Sequence, residues 1–122
     1  SEYSGFNHTY VDNSGYVWVK NNHTLMVADI TREEFLNCPD SIFREWGINT
    51  PLKDLFMDKY SDLWVITEKD DLLSKDRKNT FIFKNKVSLD NDQIYDLGVI
   101  DDKLYLFYKS GMLICHDIVS GK

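Results

Sequence analysis

Three stretches of the chain repeat one pattern, and that repeat constrains the fold more than any other feature. Each is an apolar run, then an acidic turn, then an aromatic flanked by aliphatics. The first is Tyr10-Val11-Asp12-Asn13-Ser14-Gly15-Tyr16-Val17-Trp18-Val19-Lys20. The second is Phe56-Met57-Asp58-Lys59-Tyr60-Ser61-Asp62-Leu63-Trp64-Val65-Ile66, and the third Gly98-Val99-Ile100-Asp101-Asp102-Lys103-Leu104-Tyr105-Leu106-Phe107. Asp12 to Trp18 and Asp58 to Trp64 have identical spacing. Reading Asp101 as the third aspartate makes that turn two residues shorter and puts Tyr105 in the Trp place.

The physical reading of the pattern is a hairpin. A first strand is turned by Asp, Asn or Gly and a second strand returns. In the returning strand apolar side chains fall on both faces, Tyr16 and Trp18 on one, Val17 and Val19 on the other. A strand sandwiched between two neighbouring layers reads this way. After each hairpin a further turn leads to a third strand. The turns are Asn21-Asn22-His23, Glu68-Lys69-Asp70 and Lys109-Ser110-Gly111; the strands are Thr24 to Ile30, Asp71 to Ser74 and Met112 to Ile118. A fourth strand fits Thr80 to Lys84 in the second unit. In the first, residues 31–46 fit either a strand or a helical turn, with Thr31 as cap and Glu34 at the capping-box position. The third unit ends on Ser120-Gly121-Lys122, a turn signal. Its fourth strand comes either from Glu2 to Phe6 or from outside the chain.

Trp18, Trp64 and Tyr105 stand 46 and 41 residues apart. Four-stranded propeller blades recur at about 40–45 residues. The expected fold is therefore all-β: about three four-stranded antiparallel β-propeller blades, the last incomplete. The expected domain organisation is one propeller segment, 1–122, with units near 6–46, 51–87 and 92–122. Open blade edges are association-prone, so the expected partners are the remaining blades of a larger protein or a second copy of the chain.

Composition narrows the function classes. Aromatics make up 14% of the 122 residues, which suits strands. The net charge of −6 argues against nucleic acid and anionic membrane as partners. No segment approaches 18 consecutive apolar residues. Ser1 to Tyr10 is polar and lacks the apolar stretch of a signal peptide; an internal piece of an exported protein would read the same. Cys38 and Cys115 could pair or be small buried hydrophobes, and the apolar run Met112-Leu113-Ile114-Cys115 favours burial.

Catalytic and metal motifs are weak. Cys115 and His116 are strand neighbours and point to opposite faces. His8, His23 and His116 have no zinc-ligand spacing. Asp90-Asn91-Asp92 fails as a calcium loop, since Ile94 takes the fifth position and Asp101 the twelfth; Asx turns explain it. No catalytic residue, cofactor or metal is expected, and the segment reads as a non-enzyme. Trp46, in Phe43-Arg44-Glu45-Trp46-Gly47, is the one Trp the repeat leaves unexplained. Aromatics in such loops stack on ligands or anchor partners, so Trp46 and Arg44 are the candidate contact residues; packing under the loop is the other reading of Trp46.

Asp58-Lys59-Tyr60-Ser61-Asp62-Leu63-Trp64-Val65-Ile66-Thr67 and Asp12-Asn13-Ser14-Gly15-Tyr16-Val17-Trp18-Val19 resemble the two-component regulator propeller repeats. These occur in the periplasmic sensor region of hybrid sensor histidine kinases. Gly47 to Leu55 and Asn91 to Asp96 are similar to the lead-in segment of that repeat. Ser61 replaces its turn Gly and Ile66 the Gly before Thr, and the third unit has Tyr for Trp. The resemblance implies a periplasmic sensor segment that binds a ligand, such as a glycan fragment, or mediates oligomerisation. No phosphoacceptor His helix or Gly-rich nucleotide loop is present in this sequence. A structural interaction scaffold and a glycan-active propeller domain are the alternatives.

Overall fold

The computed structural model describes residues 8–13, 15–20, 25–36, 40–75, 81–87, 89 and 91–120. The first four strands are β1 (His8–Val11), β2 (Tyr16–Lys20), β3 (Leu25–Asp29) and β4 (Glu34–Leu36), followed by α1 (Asp40–Glu45). Then come β5 (Leu52–Met57), β6 (Leu63–Thr67), β7 (Asp71–Lys75) and β8 (Phe81–Lys86). The last are β9 (Ile94–Ile100), β10 (Lys103–Tyr108) and β11 (Leu113–Asp117). They form three antiparallel sheets, β1-β2-β3-β4, β5-β6-β7-β8 and β9-β10-β11, each pairing only sequence neighbours. The chain divides into two compact units, residues 1–51 and 52–122. The first holds one sheet and α1; the second holds the other two sheets.

All three repeated hairpins form where the pattern places them, and the third strands differ from expectation by a residue or two at their ends. The fourth strand of the second sheet runs Phe81–Lys86. Asn21 to Thr24, Cys38 and Glu2 to Phe6 lie outside the described residues. Among the described residues the third sheet has three strands. Residues 31–46 contain both a strand, β4, and a helix, but the helix is not at Thr31. Asp29, rather than Thr31, organises the preceding turn: its Oδ1 accepts from Thr31 N at 3.0 Å, Thr31 Oγ1 at 2.6 Å and Arg32 N at 3.3 Å. The Thr31 hydroxyl is the main reason the Asp29 carboxyl is held below its ordinary pKa.

The equal Asp-to-Trp spacing has a specific cause. Asp12 Oδ1 accepts from Tyr16 N at 3.0 Å and closes the turn, while Oδ2 accepts from the Trp18 indole Nε1 at 2.7 Å. Asp58 repeats this with Asp62 N at 3.0 Å and Trp64 Nε1 at 2.9 Å. Trp18 and Trp64 are buried to 0% and 1% exposure, so each indole N–H needs an acceptor that reaches into the interior. The turn residues Gly15 and Ser61 both have positive φ, 90° and 65°. Ser61 thus stands in a left-handed position where glycine costs least.

In the third hairpin the register corrects the sequence alignment. Ile100 pairs Lys103 across a two-residue turn, and Tyr105 pairs Gly98 just as Trp64 pairs Phe56. Ile100, not Asp101, therefore occupies the place of Asp12 and Asp58, and the turn is one residue shorter, not two. Tyr105 brings no indole N–H, so the aspartate has no donor to serve.

Directly paired residues share a face of their sheet. Each sheet thus has an aromatic face, marked by Trp18, Trp64 or Tyr105, and an opposite aliphatic face. In the second unit the aromatic face of the second sheet (Phe56, Trp64, Ile66, Leu72) and the aliphatic face of the third (Leu97, Val99, Leu104, Leu106, Tyr108) form one buried cluster. β6 is buried on both faces, as its apolar run implies. β10 alternates instead: Leu104 and Leu106 are fully buried while Phe107 is exposed and Tyr105 half-buried. Cys115, expected in the interior, is free and exposed. It pairs Tyr105 on the aromatic face of the third sheet, which the described residues leave open, whereas Ile114 turns to the covered face.

Removing an aspartate clamp should be costly. Asp58→Ala is expected to destabilise the chain by about 2–3 kcal/mol, the scale of hydrogen bonds to a charged group with a buried donor left behind. Urea unfolding checks this, and Trp64→Phe in the same background should recover part of the loss. Equal stabilities of Asp58→Ala and wild type would contradict the clamp.

Candidate functional site

The second unit carries a cleft of about 210 Å3 where one end of the second sheet meets the start of the third. Its polar lining is Lys53, Asp54, Asp70 and Gln93, over Ile66, Val87 and Ile94. Antiparallel pairing brings these together: Asp54 at the start of β5 is opposite Ile66 near the end of β6. Asp70 precedes β7 and Val87 follows β8, and Val87 N donates to Asp70 O at 3.0 Å. The cleft is thus built from the β6–β7 turn and the β8–β9 connection. In α/β and β architectures alike, loops on a rigid scaffold are where binding residues collect.

The walls are tied down by hydrogen bonds. Lys53 Nζ pairs Asp70 Oδ1 at 2.8 Å, with both side chains about a third exposed. Such a pair contributes little stability but places an ammonium and a carboxylate on the rim. Asp70 holds φ 63°, a strained value that fixes the turn bearing its carboxylate. Asp54 Oδ1 accepts from Leu55 N at 2.8 Å, and Asp96 repeats that bond to Leu97 N in the third sheet.

The β8–β9 connection is anchored to the third sheet at two places. The Tyr108 hydroxyl donates to Val87 O at 2.8 Å in a buried setting. Burial, and then the nearby Asp92 charge, push the Tyr108 phenol up from its ordinary pKa. Asp92 accepts from Ser110 Oγ and from Ser110 N at 3.1 Å, while Lys109 N donates to Gln93 O at 2.8 Å and Lys109 Nζ to Gln93 Oε1 at 2.9 Å. The Ser110 hydroxyl is the main cause that lowers the Asp92 carboxyl pKa. Asn91 and Asp92 thus form a turn, with Asn91 at φ 56° and Asp92 as an acceptor for backbone and Ser110. Among the described residues, no three His, Cys, Asp or Glu side chains gather as a metal site.

Trp46 and Arg44 lie in the first unit. Arg44 lies in the last turn of α1 and is exposed; Gly47, two residues beyond the helix end, has φ 85° and its N–H donates to Arg44 O at 2.9 Å. The Trp46 ring stands 6.1 Å from Trp18 and 5.4 Å from Phe43, and Phe43 stacks on Trp18 at 5.2 Å. Trp46 is half-buried at the margin of this aromatic group. The cleft residues Lys53, Asp54 and Gln93 were not singled out from the sequence. Yet the two lead-in segments, Gly47 to Leu55 and Asn91 to Asp96, carry them, so the repeated lead-in was the signal for this site.

No protein-family model matches the chain, and no curated protein matches it. Among solved structures it is similar to the extracellular domain of the proposed one-component system BT4673 from B. thetaiotaomicron, with a TM-score of 0.60 and 18% identity. The match covers 96% of this chain and 16% of that one. At this identity the likeness establishes a shared all-β fold. No helix among the described residues is long and apolar enough to cross a membrane.

Two outcomes follow for the anchor of the β8–β9 connection. Tyr108→Phe should cost about 1 kcal/mol by leaving a buried carbonyl unpaired, read by thermal unfolding. Because the Asp92 pKa is lowered in the folded state, its contribution is full above the ordinary value of 3.8 and is lost as pH falls through the lowered one. Ser110→Ala should move the Asp92 midpoint up toward 3.8 in an NMR titration; an unchanged midpoint would show that the hydroxyl does not set it.

Proposed function

We propose that this chain is a segment of a β-propeller in the extracytoplasmic sensor region of a signalling protein of the two-component type. It binds a ligand or mediates oligomerisation, and it does not catalyse. The observation that carries this reading is the fold shared over almost the whole chain with an extracellular sensor-system domain. The sequence supports it independently, through Asp-x-x-Gly-x-Val-Trp-Val at Asp12 to Val19 and its counterpart at Asp58 to Val65. In this reading each sheet is a blade, β1, β5 and β9 line the propeller axis, and the third blade is completed from outside the described residues. Since the chain spans 16% of the matched protein, most of the sensor region lies in further blades.

The cleft between the second and third sheets is the place for a small polar ligand. It offers one ammonium, two carboxylates and a carboxamide over an aliphatic floor, the usual mixture of apolar walls with a few convergent polar groups. Glycan fragments belong to the ligand classes to be tried. The periplasm is the compartment this role requires.

Two measurements test the reading. A crystal structure should show the three sheets fanned about one axis with β1, β5 and β9 innermost; a two-layer sandwich would overturn the propeller. Amide and side-chain NMR with a panel of saccharides and amino acids should give shifts at Lys53, Asp70 and Gln93, abolished in Lys53→Ala. Shifts confined to Trp46 and Arg44 would move the ligand site to the first unit.

A further inference from the structure

The cleft between the second and third sheets carries a set of groups that discriminates among small polar ligands. Its volume of about 210 Å3 lies below the roughly 300–1,000 Å3 of sites that enclose drug-sized molecules. That size suits a single amino acid or one sugar ring. Among the described residues its lining is three charged side chains, one carboxamide and three aliphatic side chains, with no aromatic ring.

One of the charged groups is presented by an irregularity of the sheet. In the β5–β6 ladder Leu52 pairs Thr67 and Asp54 pairs Ile66, so Lys53 is the extra residue of a bulge. The β9–β10 ladder repeats this, with Tyr95 between Ile94, opposite Tyr108, and Asp96, opposite Phe107. In both strands the next aspartate accepts from the backbone N–H that follows it, at 2.8 Å. A bulge re-aims a side chain at the expense of ladder hydrogen bonds, and bulges gather beside active sites. On β5 the bulged residue is a wall of the cleft. On β9 it is Tyr95, 71% exposed and outside this lining.

The polar groups sort into donors and acceptors. The Lys53 ammonium has three N–H donors and gives one to Asp70 Oδ1 at 2.8 Å. Gln93 Oε1 accepts from Lys109 Nζ at 2.9 Å, which leaves the amide nitrogen of Gln93 as its donor. Lys53 and Gln93 together suit a carboxylate. Asp54 and Asp70 each have about four lone-pair sites, and together suit an ammonium. One ammonium against two carboxylates leaves one negative charge in excess, so a ligand that is only an acid is disfavoured. A neutral sugar would strip water from these charges and compensate none of them. Beneath them Ile66, Val87 and Ile94 are buried and apolar, a floor for an aliphatic group.

We propose that the cleft takes a free α-amino acid with a branched aliphatic side chain. Its carboxylate lies on Lys53 and Gln93, its ammonium on Asp54 and Asp70, and its side chain on Ile66, Val87 and Ile94. This rests on the reading of the cleft as the ligand site and names the ligand class.

NMR titration of the whole chain with leucine, glycine, isoamylamine, isocaproate and glucose tests it. Isoamylamine is leucine without its carboxylate, and isocaproate is leucine without its ammonium. Leucine should shift the Lys53 and Gln93 signals with a Kd of about 1 mM or below. The other four should bind at least about tenfold more weakly, the cost of one lost charged contact or of the buried side chain. Lys53→Met should weaken leucine by about tenfold or more and leave isoamylamine unweakened. Asp70→Asn should weaken leucine to a similar degree and leave isocaproate unweakened. Asn tolerates the left-handed backbone of position 70, so that variant keeps the turn, and circular dichroism confirms that both variants fold.

Glucose binding as tightly as leucine overturns the proposal, and so does isoamylamine or isocaproate matching leucine. Loss of isoamylamine binding in Lys53→Met overturns it too, because the lysine would then act through the fold and not through the ligand's carboxylate. If a saccharide shifts Lys53, Asp70 and Gln93 while leucine does not, the cleft remains the ligand site and only the amino-acid class fails. If no compound shifts these signals, both fail together.

Discussion

The apolar face of a β-meander has to be covered by another layer, and the rest of this structure follows from how the second sheet meets that need. Its returning strand β6 is buried on both faces, so no single neighbour can satisfy it. The third sheet covers the Trp64 face with Leu104, Leu106 and Tyr108. Burying Trp64 in turn strands an indole N–H, which the Asp58 carboxylate must reach. One side of that carboxylate also closes the hairpin turn. Packing, turn geometry and polar satisfaction are thus solved by the same residue, which is why Asp and Trp recur at a fixed separation.

The same stacking creates the cleft. Two sheets pressed face to face leave their loops side by side at one end, and the connection between them must cross the gap. Tyr108 and Asp92 fix that connection from the third sheet, and Lys53 and Asp70 decorate it from the second. The cleft is therefore a by-product of repetition, and each junction between such sheets can carry a different set of rim residues.

What could be read from the sequence was local. Alternation of two and Asx-rich turns act between neighbours in the chain, so the hairpins, the Glu68 to Asp70 turn and the strand near Phe81 were legible. The helix Asp40–Glu45 was not, because six residues make a weak signal and its place depends on Phe43 stacking against Trp18. Cys115 was misread for a related reason: its run is apolar, but burial depends on what covers the face it points to. The third hairpin was misaligned because Asp101 resembles Asp58, whereas the bond that gives Asp58 its place needs a Trp. The cleft was invisible since its residues come from separate segments, though the repeated lead-in pointed to where it lies.

The central claim is that the aromatic face of one sheet and the aliphatic face of the next form a single packed layer. A double-mutant cycle on Leu72→Ala and Leu106→Ala, read by urea unfolding, tests it directly, since the two residues lie on different sheets within one buried cluster. Each truncation should cost about 2–5 kcal/mol. If the faces pack as described, the two losses deviate from additivity by about 0.5 kcal/mol or more, whereas losses that add to within about 0.3 kcal/mol would show two independent layers and contradict the account.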